Sequence, residues 1–409
     1  MKTKVSTLII SASQLLTMNP SPRHSERSRG ISSLGLIEDG ATAIADKKIV
    51  AVGKTADLLA QYEANEVINA NGKVVTPGLI DCHTHLIFAG TREYEYLDRL
   101  RGKTYLEILE RGGGILSTVR KVRAASKEEL INHGRKYLAE FLSYGVTTVE
   151  IKSGYGLDYE NEKKMLEVIN ELKNEREQEI IPTFMGAHTF PAELRHNPKQ
   201  YIKEITDRML PDFRGLAENC DVFVEKGAFS VGQTDTILGK AQELGYKIKL
   251  HTNQISALGG IELARKYNAV SVEHLDVIDD REIDVLAKSG AIAVLLPGAS
   301  FFLQADNWAP MRKLLDKNVP VAISTDFNPG SCPSTNLHLM MNLAAQKLNM
   351  LPDEVWRAVT INAAQAIDRN REIGSLEVGK KARIAIWNMP NYLYPLYHFG
   401  YNFVEKVVI

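Results

Sequence analysis

The hydrophobic and polar positions in the middle of the chain form two alternating kinds of segment. Short β-branched or apolar runs end in polar residues, and between them lie segments with the 3.6-residue period of an amphipathic helix. Residues 127–143 and 161–179 are examples of the second kind. This alternation is typical of parallel strands that are joined by helical crossovers.

Eight runs of the first kind follow one another along the chain. They are "VVTPGLIDCHTH", "GVTTVEIKSGYG", "IIPTFMGAHTF", "CDVFVEKGAFS", "YKIKLHTNQ", "NAVSVEHLDV", "AIAVLLPGAS" and "VPVAISTDFNPG". Eight strand–helix units predict an α/β protein with a TIM-type (β/α)8 barrel over residues 71–370. An open doubly wound sheet is the alternative, but no GxGxxG turn follows the first strand.

The two ends of the chain have a different pattern. Residues 1–70 and 371–409 contain short strands that are broken by Gly, Asn and Asp, and they contain little helix. We expect both ends to meet in one small β-sandwich domain beside the barrel. The stretch "NPSPRHSERSRGISS", residues 19–33, is polar and basic and is predicted to be a solvated loop.

Composition and charge exclude several classes of protein. The chain has 409 residues, of which 44% are hydrophobic, and 49 basic residues against 50 acidic ones leave no surplus for nucleic acid or an anionic membrane. No apolar run reaches the roughly 18 residues of a membrane span. Cys82, Cys220 and Cys332 are scattered without a CxxC pair, which favours a reducing, cytoplasmic location.

Histidines recur at one position of the predicted strands. Five of the ten histidines fall at strand ends, and an aspartate ends the eighth strand: His83, His85, His188, His251, His274 and Asp326. In a TIM-type barrel the strand ends form the mouth where the chemistry takes place. A random set of histidines would not repeat one structural position, so we expect a functional site at this mouth.

The first two of these histidines have the spacing of metal ligands. Side chains two residues apart on a strand share a face, so His83 and His85 can bind one cation. His251 and Asp326 would complete a set of three nitrogens and one oxygen, which leaves a coordination position for water, as in a catalytic metal site. The HxH pair alone is also compatible with hydrogen-bonded core histidines.

Longer motifs carry a resemblance to a known family. "DCHTH", the strand-five histidine, "EHLD" and "STD" resemble the amidohydrolase superfamily. More narrowly, the chain is similar to the imidazolonepropionase family over nearly its whole length, in "HLIFAGTREYEYLDRLRGKTYLEI", "GGGILSTVR", "EIKSGYGL", "GAHTFPAE", "HTNQIS" and "STDFNPGS". The resemblance implies an enzyme of histidine degradation that hydrolyses 4-imidazolone-5-propanoate to N-formimidoyl-L-glutamate.

The resemblance also implies a set of site residues. One divalent metal ion, zinc or iron, would be held by His83, His85, His251 and Asp326. The substrate, a small molecule with a carboxylate, would contact Arg92, Tyr155, His188, Gln254, Asn328, Gly330 and Ser331. Three histidines and an aspartate suit zinc and iron alike, and a homodimer is expected only because it is the commonest assembly.

Roles within this set are hypotheses. We expect Asp326 to carry a proton from water to the leaving ring nitrogen and His274 to stabilise the developing alkoxide; the alternative for His274 is that it only orients a ligand. The carboxylate would be bound by Arg92 or by the turn from Asn328 to Ser331. The alternative for Arg92 is an ion pair with a neighbour in "TREYEYLDR".

Two residues bear on competing functions. Related deaminases have a glutamate three residues after the strand-five histidine, whereas this chain has Gln254, whose amide cannot take a proton. This disfavours a nucleobase deaminase. Lys226 follows strand four, where amidohydrolases with two metals carry a carboxylated lysine, but we expect one metal. A non-catalytic binding scaffold would be expected to have lost metal ligands, and this chain keeps them.

Overall fold

The computed structural model describes residues 1–19, 34–103, 107 and 112–409. It contains one sheet of eight strands and one of seven. Residues 20–33, which are most of the predicted basic loop, lie outside the described residues. Among the residues that are described, no helix has the length and apolar character needed to cross a membrane.

The seven-stranded sheet is built from both ends of the chain. Five strands come from the beginning and two from the end: β1 Thr3–Leu16, β2 Leu36–Ala45, β3 Lys48–Lys54, β4 Tyr62–Asn69, β5 Val74–Pro77, β14 Ile384–Trp387 and β15 Val404–Val408. Their order is β15-β14-β5-β1-β2-β3, with β4 also paired to β1. The expectation that the two ends form a second, β-rich unit is therefore confirmed.

Strand β1 holds this sheet together because it pairs along its length with three neighbours. It runs antiparallel to β2 and parallel to β4 and β5, and its register with β2 shifts between Ile9 and Ala12. Strand β14 joins the beginning and end of the chain through its antiparallel pairing with β5. The sheet thus includes Val74–Pro77, and the domain boundaries at residues 70 and 371 stay predictions.

The eight-stranded sheet is the barrel. Its parallel strands follow chain order: β6 Leu79–Thr84, β7 Val146–Lys152, β8 Glu179–Ala187, β9 Asn219–Val224, β10 Lys247–Thr252, β11 Ser271–His274, β12 Ile292–Leu295 and β13 Val321–Ile323. The ring closes where β13 meets β6, since the amide of Asp326 donates to the carbonyl of His83 at 3.2 Å. The predicted (β/α)8 barrel is confirmed.

The first predicted strand is in fact two strands. The run "VVTPGLIDCHTH" divides at Gly78, so that Val74–Pro77 joins the small sheet and Leu79–Thr84 begins the barrel. A Cβ at Gly78 would collide with the side chain of Thr147, so a glycine is needed where the chain passes between the two sheets. Periodicity could not show this break because apolar residues continue on both sides of Gly78 and both halves are buried.

Helices cover the outside of the barrel. Ser126, Ser230 and Asp279 each begin a helix with a capping box, which satisfies amides that have no partner inside the helix. The α-helices of the described residues are α1 Thr55–Gln61, α2 Glu93–Leu100, α3 Ile115–Ala124, α4 Lys127–Ser143, α5 Tyr159–Glu175, α6 Pro198–Glu204, α7 Leu210–Phe213, α8 Val231–Glu243, α9 Gly260–Lys266, α10 Asp280–Ser289, α11 Pro297–Phe302, α12 Met311–Asp316, α13 Leu337–Lys347, α14 Pro352–Ala358, α15 Ile361–Ala366 and α16 Tyr394–Tyr397. The helix predicted over residues 127–143 is confirmed.

Alternation along the barrel strands separates apolar from charged side chains. In β7, Val149 and Ile151 belong to the hydrophobic core, and in β10 Leu250 does so. The charged residues next to these, Lys152 in β7 and Lys249 in β10, are also fully buried. Successive side chains of a strand point to opposite faces, so the charged residues fill the interior of the barrel below its mouth.

Candidate metal centre

The four predicted metal ligands come together at the mouth of the barrel. Strand β6 contains His83 and ends one residue before His85, β10 contains His251, and Asp326 lies three residues beyond the end of β13. Nε2 of His251 is 3.3 Å from Nε2 of His85. Oδ1 of Asp326 is 3.4 Å from Nε2 of His83 and 3.6 Å from Nε2 of His85.

This donor set fits a metal ion. One nitrogen from each of His83, His85 and His251 lies within 4.8 Å of the others. Nε2 of His83 is buried without a hydrogen-bond partner among the described residues, and an unpartnered buried polar atom is costly. Burial lowers the pKa of His85 and of His251 well below the usual value, which favours the neutral imidazoles that ligate metals.

Two of the site residues have unusual backbone conformations. His274 has a φ of +77° and Asp326 a φ of +54°, in the left-handed region that residues other than glycine seldom adopt. Such strain concentrates at functional sites, where the surrounding structure maintains it. Here the positive φ changes the direction of the His274 and Asp326 side chains at the ends of their strands.

Buried carboxylates orient the imidazoles from below. Oε2 of Glu273 lies 2.5 Å from Nδ1 of His83 and 3.3 Å from Nδ1 of His251, and Oδ1 of Asp221 lies 3.0 Å from the same atom of His251. Burial is the largest single influence and acts to lower the pKa of His83, but the charge of Glu273 and the close polar contacts with Asp326 and Glu273 together outweigh it and raise the pKa to about 9. With the Nδ1 atoms facing carboxylates, the Nε2 atoms are left for a metal.

Below these carboxylates lie two lysines that are also fully buried. Nζ of Lys152 is 2.8 Å from Asp221, 2.9 Å from Glu150 and 3.2 Å from Glu273. Nζ of Lys249 is 2.8 Å from the other carboxylate oxygen of Glu273. Burial acts to lower the pKa of the Lys152 ammonium, but the surrounding carboxylates outweigh it and hold that pKa well above its usual value.

A buried charge network below the ligands was not predicted from the sequence. It consists of Glu150, Lys152, Asp221, Lys249 and Glu273, and every member has a fully buried side chain. A signal was available in "VEIK", "KIKL" and "SVEH", where charged residues alternate with apolar ones inside strands that the fold must bury. Charged side chains are rarely fully buried unless they are paired, so this alternation indicates a paired network inside the barrel.

A cavity of about 830 Å³ opens above the predicted metal ligands. All seven predicted substrate-binding residues line it, and His274 and Asp326 do so as well. The structure therefore brings the predicted ligands and the predicted substrate contacts together at one place.

Two aromatic residues form one wall of this cavity. The ring of His188 stacks on His85 with centroids 4.9 Å apart, and Tyr155 lies 5.4 Å from His188. Nδ1 of His188 is 3.0 Å from the carbonyl oxygen of Gly154, which leaves Nε2 as an acceptor. Burial lowers the pKa of His188 to about 4, so the ring is neutral at physiological pH.

His274 stands beside the ligands without being one of the converging set. Its ring centroid is 5.3 Å from that of His251 and 5.9 Å from that of His83. Nδ1 is buried and has no hydrogen-bond partner among the described residues. Burial lowers the pKa of His274 to about 3, so this side chain is a neutral imidazole next to the metal ligands.

The turn from Asn328 to Ser331 is held together by its own side chains. Oδ1 of Asn328 accepts from the amides of Gly330 and Ser331 at 2.7 and 2.8 Å. Ser331 Oγ donates to Oδ2 of Asp326 at 3.1 Å. The two amides of the turn are therefore already used within it, and the turn fixes one oxygen of Asp326.

Arg92 lies against this turn. A Cβ at Gly330 would collide with Nη1 of Arg92, so the glycine permits the close approach. Nε and Nη2 of Arg92 both contact Oε2 of Glu95, at 2.8 and 2.7 Å. The ion pair that was the alternative for Arg92 is thus present, but the guanidinium also borders the cavity.

A second guanidinium on the cavity wall was not singled out from the sequence. Nη2 of Arg99 is 3.4 Å from the carbonyl oxygen of Gly330, and its Cζ lies 4.9 Å from the centre of the Phe302 ring. Arg99 is about two helical turns beyond Arg92 and so lies on the same face, and this helical spacing was the signal that could have found it.

Lys226 does not contribute to the centre. Its side chain is exposed, whereas the preceding Glu225 is buried and accepts from the amides of Ile255 and Ser256 at 2.9 and 3.2 Å. The lysine that raised the possibility of a two-metal site therefore points away from the ligands.

The chain matches a known family model. Residues 74–409 match the model described as the Amidohydrolase family. The chain belongs to the amidohydrolase family, and it is a hydrolase. This match covers the whole barrel together with the strands from the end of the chain.

Curated relatives identify the branch of this family. The chain is 49% identical to the imidazolonepropionase of Alkaliphilus metalliredigens, with 99% of this chain and 96% of that protein covered. It is 44% identical to the imidazolonepropionase of Bacillus velezensis, with 100% and 96% covered. Within the amidohydrolases, the chain's branch is that of the imidazolonepropionases.

Solved structures share the fold at low identity. An adenosine deaminase from Xanthomonas campestris with bound zinc superimposes with a TM-score of 0.74 at 18% identity, covering 100% of this chain and 92% of that chain. An atrazine chlorohydrolase mutant from Arthrobacter aurescens, complexed with zinc and atraton, gives 0.72 at 17% identity, covering 98% and 94%. At such identities the likeness supports the barrel alone.

The position of Glu273 leads to a first prediction. Glu273→Gln removes the charge that orients His83 and is expected to weaken zinc binding by about 10- to 100-fold, which is typical for the loss of a partner of a metal-ligating histidine. The measurement is the zinc dissociation constant in competition with a chromophoric chelator.

Glu162→Gln is the matched control. Glu162 is equally buried, but it accepts from the amides of Gly154, Gly156 and Leu157 instead of contacting a metal ligand. Zinc affinity should be unchanged in this variant. Equal zinc affinity in both variants would show that Glu273 does not orient the ligands.

Proposed function

We propose that this hydrolase opens the imidazolone ring of 4-imidazolone-5-propanoate, in a metal-dependent reaction that yields N-formimidoyl-L-glutamate. One observation carries the proposal: three imidazoles and a carboxylate converge at the floor of a cavity whose wall carries a guanidinium. A ring carbonyl and a propionate are the two features of this substrate that such a cavity can recognise together. The name of the curated relatives, imidazolonepropionase, supports the same substrate.

His83, His85, His251 and Asp326 would hold one divalent ion, zinc or iron. When bound, a divalent ion supplies a nucleophile at neutral pH because it lowers the pKa of water from ~15.7 to roughly 7. The remaining requirements of the reaction fall to the side chains of the chain itself. They are the transfer of a proton, the stabilisation of charge and the placement of the ring.

Asp326 is placed to move the proton. Hydrolysis breaks the bond between the ring carbonyl carbon and a ring nitrogen, so water must lose a proton and the nitrogen must gain one. Oδ1 of Asp326 faces His83 and His85, while Oδ2 accepts from Ser331 on the wall of the cavity. The carboxylate takes the proton from water and delivers it to the leaving nitrogen.

His274 stabilises the charge that develops on the carbonyl oxygen. Its neutral ring carries one N–H donor, and burial beside the metal ligands strengthens a hydrogen bond to an oxygen that becomes negative. His188 and Tyr155, which lie beside His85, form the wall against which the substrate ring packs, and Gln254 contributes an amide that cannot take a proton.

Arg92 binds the propionate. The amides of Gly330 and Ser331 already donate to Asn328, so the turn has few donors left for a carboxylate. Nε and Nη2 of Arg92 are engaged by Glu95, which leaves Nη1, beside Gly330, for the substrate. Arg92 thus supplies the positive charge that binds the carboxylate, and the turn from Asn328 to Ser331 shapes the subsite around it.

A single purified sample tests the proposed function. Metal analysis should give one ion per chain, and the ultraviolet absorbance of the imidazolone should disappear at a rate that a strong chelator abolishes and added zinc or iron restores. Ring opening releases no ammonia. Absorbance loss that is unaffected by complete removal of metal would refute the proposal, and ammonia release would identify a deaminase instead.

Arg92→Ala is expected to raise KM for the propionate-bearing substrate by about 10- to 100-fold, because a hydrogen bond to a charged group contributes about 1.5–3 kcal/mol. KM for an imidazolone without the propionate should change little. The measurement is steady-state kinetics on both compounds.

Arg135→Ala is the control for this substitution. Arg135 also forms an ion pair with a glutamate, Glu175, but it does so on the outside of the barrel, between two helices. KM should be unaffected for both compounds. Equal increases for the two compounds in Arg92→Ala would exclude carboxylate recognition by Arg92.

Asp326→Asn is expected to lower kcat by about 10²- to 10⁴-fold, because an amide cannot carry the proton to the leaving nitrogen. Bound metal is measured in the same sample and kcat is expressed per metal-loaded chain, so that a lost ligand is not mistaken for a lost proton carrier. Near-normal kcat in the loaded variant would remove Asp326 from the proton path.

A further inference from the structure

A second group of potential metal ligands lies directly below the first. Asp221, His251 and Glu273 each offer one ligand atom within 4.8 Å of the others, and all three side chains are buried. His251 belongs to both groups. Two carboxylates and an imidazole at this spacing are a set that a divalent cation accepts.

The ammonium of Lys152 lies against this second group. Nζ is 2.8 Å from Oδ2 of Asp221 and 3.2 Å from Oε2 of Glu273, and Glu150 contributes a third carboxylate at 2.9 Å. None of these side chains is exposed to solvent. A positive charge on the chain itself therefore sits where three buried carboxylates require one.

We propose that Lys152 takes the place of a second metal ion and thereby restricts the centre to one metal. The ammonium neutralises Asp221 and Glu273, which then orient His251 and His83 instead of acting as ligands themselves. Lys152 is in this sense a positioning residue. The inference rests on the proposed metal-dependent function of the same centre.

The neighbouring lysine shows that burial alone does not produce this arrangement. Lys249 is equally buried, but it contacts Oε1 of Glu273 and the carbonyl oxygens of Cys82 and Ala366. It supplies charge from the opposite side of Glu273 without lying among the second group of ligands. Lys249 therefore offers a matched control for the loss of one buried ammonium.

Counting bound zinc tests the proposal. Metal-free wild type, Lys152→Ala and Lys249→Ala are titrated with zinc by calorimetry, and each protein is then gel-filtered and analysed for metal. We expect one zinc per chain in the wild type and in Lys249→Ala, and two in Lys152→Ala. The ratio of zinc to protein is independent of catalysis, and the loss of a purely structural lysine would not increase it.

A second variant keeps the test decisive if Lys152→Ala folds poorly. Lys152→Ser leaves the same space and admits water, and variants that fold poorly without metal are prepared in zinc and counted in the same way. Thermal unfolding gives a further readout, because zinc beyond the first equivalent should raise Tm in the Lys152 variants and leave it unchanged in the wild type.

The outcomes separate this inference from the proposed function. No zinc in the wild type would refute the metal-dependent function. One zinc in the wild type with one zinc in folded Lys152 variants would refute the inference and leave the function intact. Two zinc ions in the wild type would refute both the inference and the one-metal centre of the proposed function, while its metal dependence would stand. Failure of both variants to fold in excess zinc would also overturn the inference, because zinc is expected to replace the lost charge.

Discussion

The ion pairs of Glu273 inside the barrel are the interaction on which the site depends. This carboxylate lies between two buried lysines and the imidazoles of His83 and His251, so it balances charge below and orients ligands above. Charges buried in this way are tolerated only when each one is paired, and the loss of one partner leaves another uncompensated. The charged residues inside the barrel therefore both orient the imidazoles of the metal centre and balance the buried charge beneath it.

Closure of the barrel converts this support into a site. Asp326 reaches the first strand only because β13 lies beside β6, where its amide bonds to the carbonyl of His83. The same closure places the turn that follows Asp326 next to Arg92, which lies beyond the first strand. One seam of the barrel thus joins the predicted metal ligands to the subsite that we assign to the carboxylate.

The fold itself does not select a reaction. An adenosine deaminase and an atrazine chlorohydrolase share the barrel with this chain at TM-scores of 0.74 and 0.72, although sequence identity is only 18% and 17%. The cavity wall of this chain carries a glutamine three residues after the strand-five histidine, a guanidinium packed on a glycine, and a turn whose amides are already used. Selectivity among substrates is therefore expected to follow these residues.

Local patterns in the sequence determined the architecture and predicted the ligands. Alternating periodicities predicted the barrel, because side-chain direction along a strand or helix follows from the backbone alone. The repeated position of histidine at strand ends predicted the mouth of the barrel. Three things depended on tertiary structure: the break at Gly78, the pairing of Arg92 with Glu95, and the position of Lys152 among buried carboxylates. Each is a contact or a junction whose outcome depends on which elements pack together. Local periodicity carries no information about which distant residues will meet. The partners of a buried charge come from other strands, and these strands become neighbours only when the barrel closes.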